Sequence, residues 1–226
     1  MLMYGEPGVG KTVLAASADE VPELRKVLIL DVEGGTMSID HRFPNVNVVR
    51  LTDFLKTDDI YDELWRSKNH GFGCIVLDSL SETQKLSMAS IMNGEVNRNP
   101  DADPDVPSMR NWGKNINQVR RLVRRFRDLP VPTIFTALVS EDKDERTGRL
   151  LRKPALSGKL ASEVAGFFDI VGYLYIKEAE GQQTRFMLTS GAEGIVAKDR
   201  SERLPPILES PTMKEIFELV TKGSTD

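Results

Sequence analysis

Between Gly5 and Thr12 the sequence reads GEPGVGKT, the spacing G-x-x-x-x-G-K-T. Glycines at these places let the backbone turn its N–H groups inward around an anion without Cβ clashes. Those donors then lie at the start of a helix, whose dipole also favours negative charge. A loop of this kind needs a strand before it and a helix after it, so eight residues commit the N-terminal part of the chain to α/β structure. The residues expected to surround the phosphates are Gly5, Glu6, Pro7, Gly8, Val9, Gly10, Lys11, Thr12 and Val13. Lys11 would reach the β- and γ-phosphates and the Thr12 hydroxyl would face Mg²⁺, so ATP and Mg²⁺ are the expected cofactors. A coincidental glycine turn is the alternative; the apolar segment before the loop and the helical pattern after it oppose that reading.

Downstream, apolar runs of strand length alternate with helix-length amphipathic stretches, the pattern of a mostly parallel sheet flanked by helices. Strands are predicted over residues 1–4, 26–31, 46–50, 73–78 and 133–139, and helices over 11–18, 58–67, 80–92 and 111–128. Residues 170–177 and 184–189 form a late β-hairpin around Glu180-Gly181. Ser210-Pro211 opens a last helix, with serine as its cap and proline in the first turn. Residues 93–109 and 140–158 lack periodicity and read as mobile loops, the first rich in Asn, Asp and Pro, the second in charge. Four residues make a short first strand; either the chain starts late or the natural strand is clipped.

Composition narrows the class. The chain has 226 residues, 40% hydrophobic and 28% charged, which fits one globular domain over 1–226. With no apolar run of about 18 residues and no charged leader, neither a membrane helix nor a secretory signal is expected, and a cytoplasmic location follows. Cys74 is the single cysteine, so an intramolecular disulfide and a multi-cysteine zinc site are excluded. Its apolar surroundings favour a buried small hydrophobe over a reactive thiol. A net charge of -4 means that any nucleic-acid contact must come from local basic patches.

Two carboxylates follow predicted strands. Asp78 closes CIVLD, where a phosphate-loop protein holds Mg²⁺; its alternative role is to cap the next helix. Glu33, in DVEGGT after the second strand, is placed to orient and polarise an attacking water, with a contact-free loop carboxylate as the alternative. Asp31 competes with it for the same role.

Cations gather in three places. Residues 110–128 carry seven Lys or Arg against one acid, and Arg120 with Arg124, and Arg121 with Arg125, are one helical turn apart. This is either a cationic face for nucleic acid or a solvated face neutralised by acidic neighbours. Arg146, Arg149, Arg152 and Lys153 lie in the second loop beside Gly148 and Gly158, a composition suited to tracking a phosphodiester backbone. Trp112 and Phe167 are the nearest aromatics for base stacking. Lys198 and Arg200 would share one side of an extended segment and could reach a neighbouring subunit's γ-phosphate; on spacing alone a surface charge cluster is the better reading. No N-K-x-D motif argues for a small GTPase. A nucleoside kinase with an arginine-bearing lid (Arg146, Arg149, Arg152) stays open, although the strand-rich last third does not suit it.

In the order GEPGVGKT, VLILDVEGG, CIVLDSL, PTIFTALVS the chain resembles the RecA-type ATPase core. The stretch KPALSGKLASEVAGFFDIVGYL and the late KDR make it similar to phage-encoded RecA-like ATPases of the single-strand annealing group, the Sak-type recombinases. The resemblance implies a water-activating role for Glu33, a Mg²⁺-site role for Asp78 and γ-phosphate sensing at the strand end 136–140. RecA has an amide side chain there, where this chain has Thr136 and Ser140. It implies a DNA-binding loop at 140–158, and Lys198 and Arg200 acting across a subunit interface in a homo-oligomeric ring or filament. The implied partners are single-stranded DNA and a single-strand DNA-binding protein; the implied activity is ATP-dependent annealing and recombination, in the host cytoplasm for a phage-encoded chain. A nucleotide-dependent assembly switch or loader acting on a protein partner is the alternative function.

Overall fold

The computed structural model describes residues 1–67, 70–143, 148–192 and 194–222. One sheet organises them. The central parallel strands are β1 (Leu2–Gly5), β2 (Val27–Asp31), β3 (Asn47–Arg50), β4 (Cys74–Asp78), β5 (Thr133–Lys143) and β7 (Ile170–Ala179). Two short antiparallel additions flank them: β6 (Leu150–Pro154) on β5 and β9 (Lys198–Asp199) on β7. The remaining antiparallel strands, β8 (Gln182–Leu188) and β10 (Ile207–Glu209), extend one edge, giving the order β10-β8-β7-β1-β5-β4-β2-β3. β5 separates β1 from β4, so the strand carrying the glycine loop and the strand ending in Asp78 are next-nearest neighbours. This is a P-loop α/β fold with a mostly parallel sheet flanked by helices, and with the late hairpin at Glu180-Gly181 where the sequence put it.

Both faces of the central strands are covered, which is why they read as unbroken apolar runs. On one face Leu2, Tyr4, Leu30, Leu77 and Phe135 pack with helices α3 (Leu80–Val96) and α4 (Met109–Arg127). On the other Met3, Ile29, Val76 and Leu174 pack with α1 (Lys11–Ala16) and α6 (Met213–Thr221). Alternate residues of one strand thus serve two cores. α2 (Lys56–Arg66) lies outside α4, and a short α5 (Leu160–Glu163) leads into β7.

Several boundaries differ from the sequence reading. The first helix stops at Ala16 and continues as a 3₁₀ turn, Ser17–Glu20. α3 runs to Val96, continuing through Asn93 and Gly94, and the Pro and Asp residues of the predicted loop lie beyond it. The last helix is capped by Thr212, whose hydroxyl accepts from the Glu215 N–H at 3.1 Å, so the cap is neither Ser210 nor next to a proline in the first turn. The largest correction concerns residues 140–158. Much of this stretch is a β-hairpin, with Val139 opposite Pro154 and Lys143 opposite Leu150. Arg152 pairs with Glu141 at 2.5 Å and Lys153 with Asp142 at 2.6 Å. Charged residues on both faces hid the strand from a search for apolar alternation.

Cys74 is fully buried on β4, and burial pushes its thiol up to about 12. Native protein is therefore expected to resist thiol-specific alkylation at pH 8 and to react only after denaturation. Rapid labelling of folded protein, followed by mass spectrometry, would contradict this placement.

Candidate nucleotide site

The carboxyl ends of β1, β2 and β4 converge on one side of the sheet. β1 runs into the glycine loop at Gly5, where an added Cβ would meet the Leu174 carbonyl oxygen at 2.3 Å. Gly10 caps α1 with φ +89, and an added Cβ there would lie 2.1 Å from Arg185 Nη2. The left-handed backbone holds glycine at position 10, and the missing Cβ leaves room for the arginine lying against it.

Lys11, the first residue of α1, is 5% exposed, and its Nζ donates to the carbonyls of Gly5 (3.1 Å) and Glu6 (2.9 Å). Burial pulls its ammonium below the ordinary value, and the carboxylates of Glu33, Asp78 and Glu6 act against that shift. Those three acids therefore face the loop closely enough to be felt by its lysine. Thr12 Oγ1 donates to Asp78 Oδ2 at 2.6 Å, and the Thr136 hydroxyl of β5 donates to Asp78 Oδ1. Asp78 is fully buried. Its predicted alternative as a helix cap is not realised: Ser79 caps α3, accepting from the Glu82 N–H at 3.4 Å. The Asp78-Ser79 peptide bond is cis.

Glu33 follows β2, and its N–H donates to the Asp78 carbonyl at 3.3 Å, beside the Val32 N–H at 2.7 Å. This ties the two strand ends together. The Glu33 side chain is exposed and has no hydrogen bond or ion pair among the described residues. Asp31 has a different occupation: it accepts from the Gly34 N–H at 2.7 Å and pairs with Arg50 at 3.0 Å. The two candidate carboxylates are thus separated, one consumed by the fold and one left free. Thr136 is likewise consumed as a tether for Asp78, whereas Ser140 lies further along β5, opposite Lys153.

Other predicted residues lie elsewhere. Lys198 and Arg200 sit at the amino end of the sheet, where β9 pairs with Ile170 and Val171, opposite the end that carries the glycine loop. Arg200 pairs with Asp169 at 3.0 Å. The basic face of α4 is partly neutralised. Arg120 bonds to Glu163 at 2.8 Å, Arg125 to Asp58 and to Asp62 (2.8 Å to the latter), and Arg124 lies 4.9 Å over the Phe167 ring. Arg121 is exposed. Trp65, which the sequence reading passed over, is 53% exposed on α2 and stacks with Tyr61 near these arginines. Arg146 lies outside the described residues.

A groove of about 890 Å³ opens between α3, the start of α4 and the β5–β6 hairpin. Met88, Met92, Trp112 and Leu156 give it apolar walls, and Lys85, Ser140 and Lys153 line it with polar groups. It brings together the two stretches, 93–109 and 140–158, that sequence reading singled out as loops.

A family model described as an AAA domain matches residues 1–201. No curated protein matches significantly in sequence. Among solved structures, a KaiC-like protein from the hyperthermophilic archaeon Pyrococcus horikoshii OT3 is similar at 16% identity over 83% of this chain and 76% of that one, TM-score 0.49. The flagellar accessory protein FlaH from Methanocaldococcus jannaschii is similar at 12% identity over 92% and 82%, TM-score 0.49. No helix among the described residues is long and apolar enough to cross a membrane.

Proposed function

Because the chain belongs to the AAA domain family, whose model spans residues 1–201, we propose that it is a Mg²⁺-dependent RecA-like ATPase that acts on single-stranded DNA, in phage annealing or recombination. The observation that carries the ATPase half is the gathering of Lys11, Thr12, Asp78 and Glu33 at the carboxyl ends of β1, β4 and β2. The donor set suits Mg–ATP: a glycine cradle, one lysine, one hydroxyl and one buried carboxylate. Thr12 and Asp78 would hold Mg²⁺, which supplies positive charge against the phosphate oxygens when bound. Lys11 binds the β- and γ-phosphates. Glu33 orients the attacking water and takes its proton.

In their own chain Lys198 and Arg200 stand at the wrong end of the sheet for the phosphates, so a role there requires a neighbouring subunit. Such a role belongs to a homo-oligomer, ring or filament, with nucleotide at the subunit boundary; Arg200 would have to leave Asp169 to take it.

The DNA half rests on the groove between α3, α4 and the β5–β6 hairpin. An exposed indole, thioether side chains and lysines suit stacked bases beside a phosphodiester backbone. Of the hairpin cations Lys153 lines it, paired with Asp142, whereas Arg152 bonds to Glu141 and lies over the Tyr173 ring on the other side of the strand. Arg120, Arg121 and Arg124 on α4 contribute less, since two of the three already have partners in the fold. ATP turnover is expected to rise with a single-stranded oligonucleotide, and Trp112→Ala to weaken oligonucleotide binding by about tenfold, read by gel shift at fixed salt. Turnover indifferent to DNA, with no shifted band, would leave the alternative: an assembly switch or loader with a protein partner, which the internal pairing of the α4 arginines favours.

A further inference from the structure

Arg185 on β8 is the one side chain among the described residues with a buried nitrogen or oxygen that lacks a hydrogen-bond partner: its Nε is enclosed and unpaired. Its guanidinium forms no ion pair among the described residues, yet lies against Gly10, the last glycine of the phosphate loop. Along β8 the side chains at 185 and 187 point the same way, and Met187 packs into the core beneath α1. That register carries Arg185 over the same face towards the amino end of α1. Burial, and then the like charge of Arg42, pull its guanidinium below the ordinary value. Arg42 also has no acidic partner among the described residues. A cation without a counter-ion therefore lies beside a loop built for an anion, with a second one near enough to be felt.

A half-buried guanidinium with an unmade hydrogen bond is destabilising to the folded chain by itself. Its planar fork of donors is suited to phosphate oxygens, which would satisfy both the charge and the open donor. We infer that Arg185 is a phosphate contact for the bound nucleoside polyphosphate, made within the same chain and closing the loop from the β8 side, with Arg42 adding long-range attraction. The inference rests on the ATP-binding reading above. It differs from that reading in placing a cation of the late hairpin, outside any motif, on the nucleotide.

The test compares wild type, Arg185→Gln, Arg185→Lys and Lys11→Ala for equilibrium binding of ADP and of inorganic tripolyphosphate, with thermal unfolding of the ligand-free proteins alongside. Arg185→Gln should weaken both ligands by about tenfold or more, and Arg185→Lys by less. Removal of an uncompensated charge should leave the melting temperature of ligand-free Arg185→Gln at or above that of wild type. A merely structural arginine would lower it. Wild-type affinity for ADP in Arg185→Gln overturns the inference while Lys11→Ala still fails to bind. Weaker ADP with unchanged tripolyphosphate also overturns it, since the contact is then with base or ribose. A wild-type chain that binds neither ligand overturns this inference and the nucleotide reading together.

Discussion

Glu33→Gln is expected to lower ATP turnover by about 10²–10⁴-fold while leaving the affinity for a non-hydrolysable ATP analogue within about threefold. The substitution keeps size and shape and removes only the basic oxygen. Nothing in the fold depends on that oxygen, because the side chain is exposed and has no partner among the described residues. Its placement is nevertheless fixed, since the Val32 and Glu33 N–H groups both donate to the Asp78 carbonyl. A carboxylate on a fixed backbone, unpaired and felt by Lys11, is what a general base at the γ-phosphate requires. Asp31→Asn should show the opposite profile. It removes the charge partner of Arg50 from a buried site, so the loss should be in stability, with turnover per folded molecule retained. Steady-state hydrolysis, analogue binding and thermal unfolding on the pair separate the two carboxylates. Near wild-type turnover in Glu33→Gln would remove Glu33 from the chemistry.

The parts of this site that could be read from the sequence are those in which chemistry and position are local. GEPGVGKT carries its geometry in eight consecutive residues. Asp78 and Glu33 announce themselves because each follows directly on a buried apolar strand, and in a parallel sheet the carboxyl ends of the strands gather on one side. What could not be read depends on contacts between distant elements. The arginines of α4 looked like a cationic face because their acidic partners, Asp58, Asp62 and Glu163, lie more than forty residues away. β6 was hidden because its charges are matched across the strand pair by Glu141 and Asp142 and not buried. Arg185 gave no signal at all: one arginine in an amphipathic strand is ordinary until β8 and the glycine loop are seen side by side. The choice between Asp31 and Glu33 also needed the fold, because only the pairing with Arg50 shows which carboxylate is already occupied.

Asp78 poses a harder question, because one carboxylate serves both packing and the expected metal site. Its two oxygens accept from the hydroxyls of Thr12, which is half-buried, and Thr136, which is fully buried. Truncation to alanine would leave both hydroxyls, one of them fully buried, without their acceptor and confuse folding with function. Asp78→Asn is the cleaner change. The amide oxygen still accepts from one threonine, and the other hydroxyl can rotate to accept from the amide nitrogen, so packing is preserved while the charge is lost. The stability loss is expected to be about 1 kcal/mol, a fall in melting temperature of about 2–4 °C for a chain of this size. ATP turnover is expected to fall by about 10²–10³-fold, because a hard cation loses its one anionic protein oxygen. The Mg²⁺ concentration for half-maximal turnover should rise in parallel, a readout that a purely structural aspartate would not move. Thr136→Val provides the converse, removing one tether and keeping the charge, so its effect should lie mainly in stability. If Asp78→Asn hydrolyses ATP at the wild-type rate with unchanged Mg²⁺ dependence, Asp78 is a packing residue and the metal is held by Thr12 and the phosphates alone.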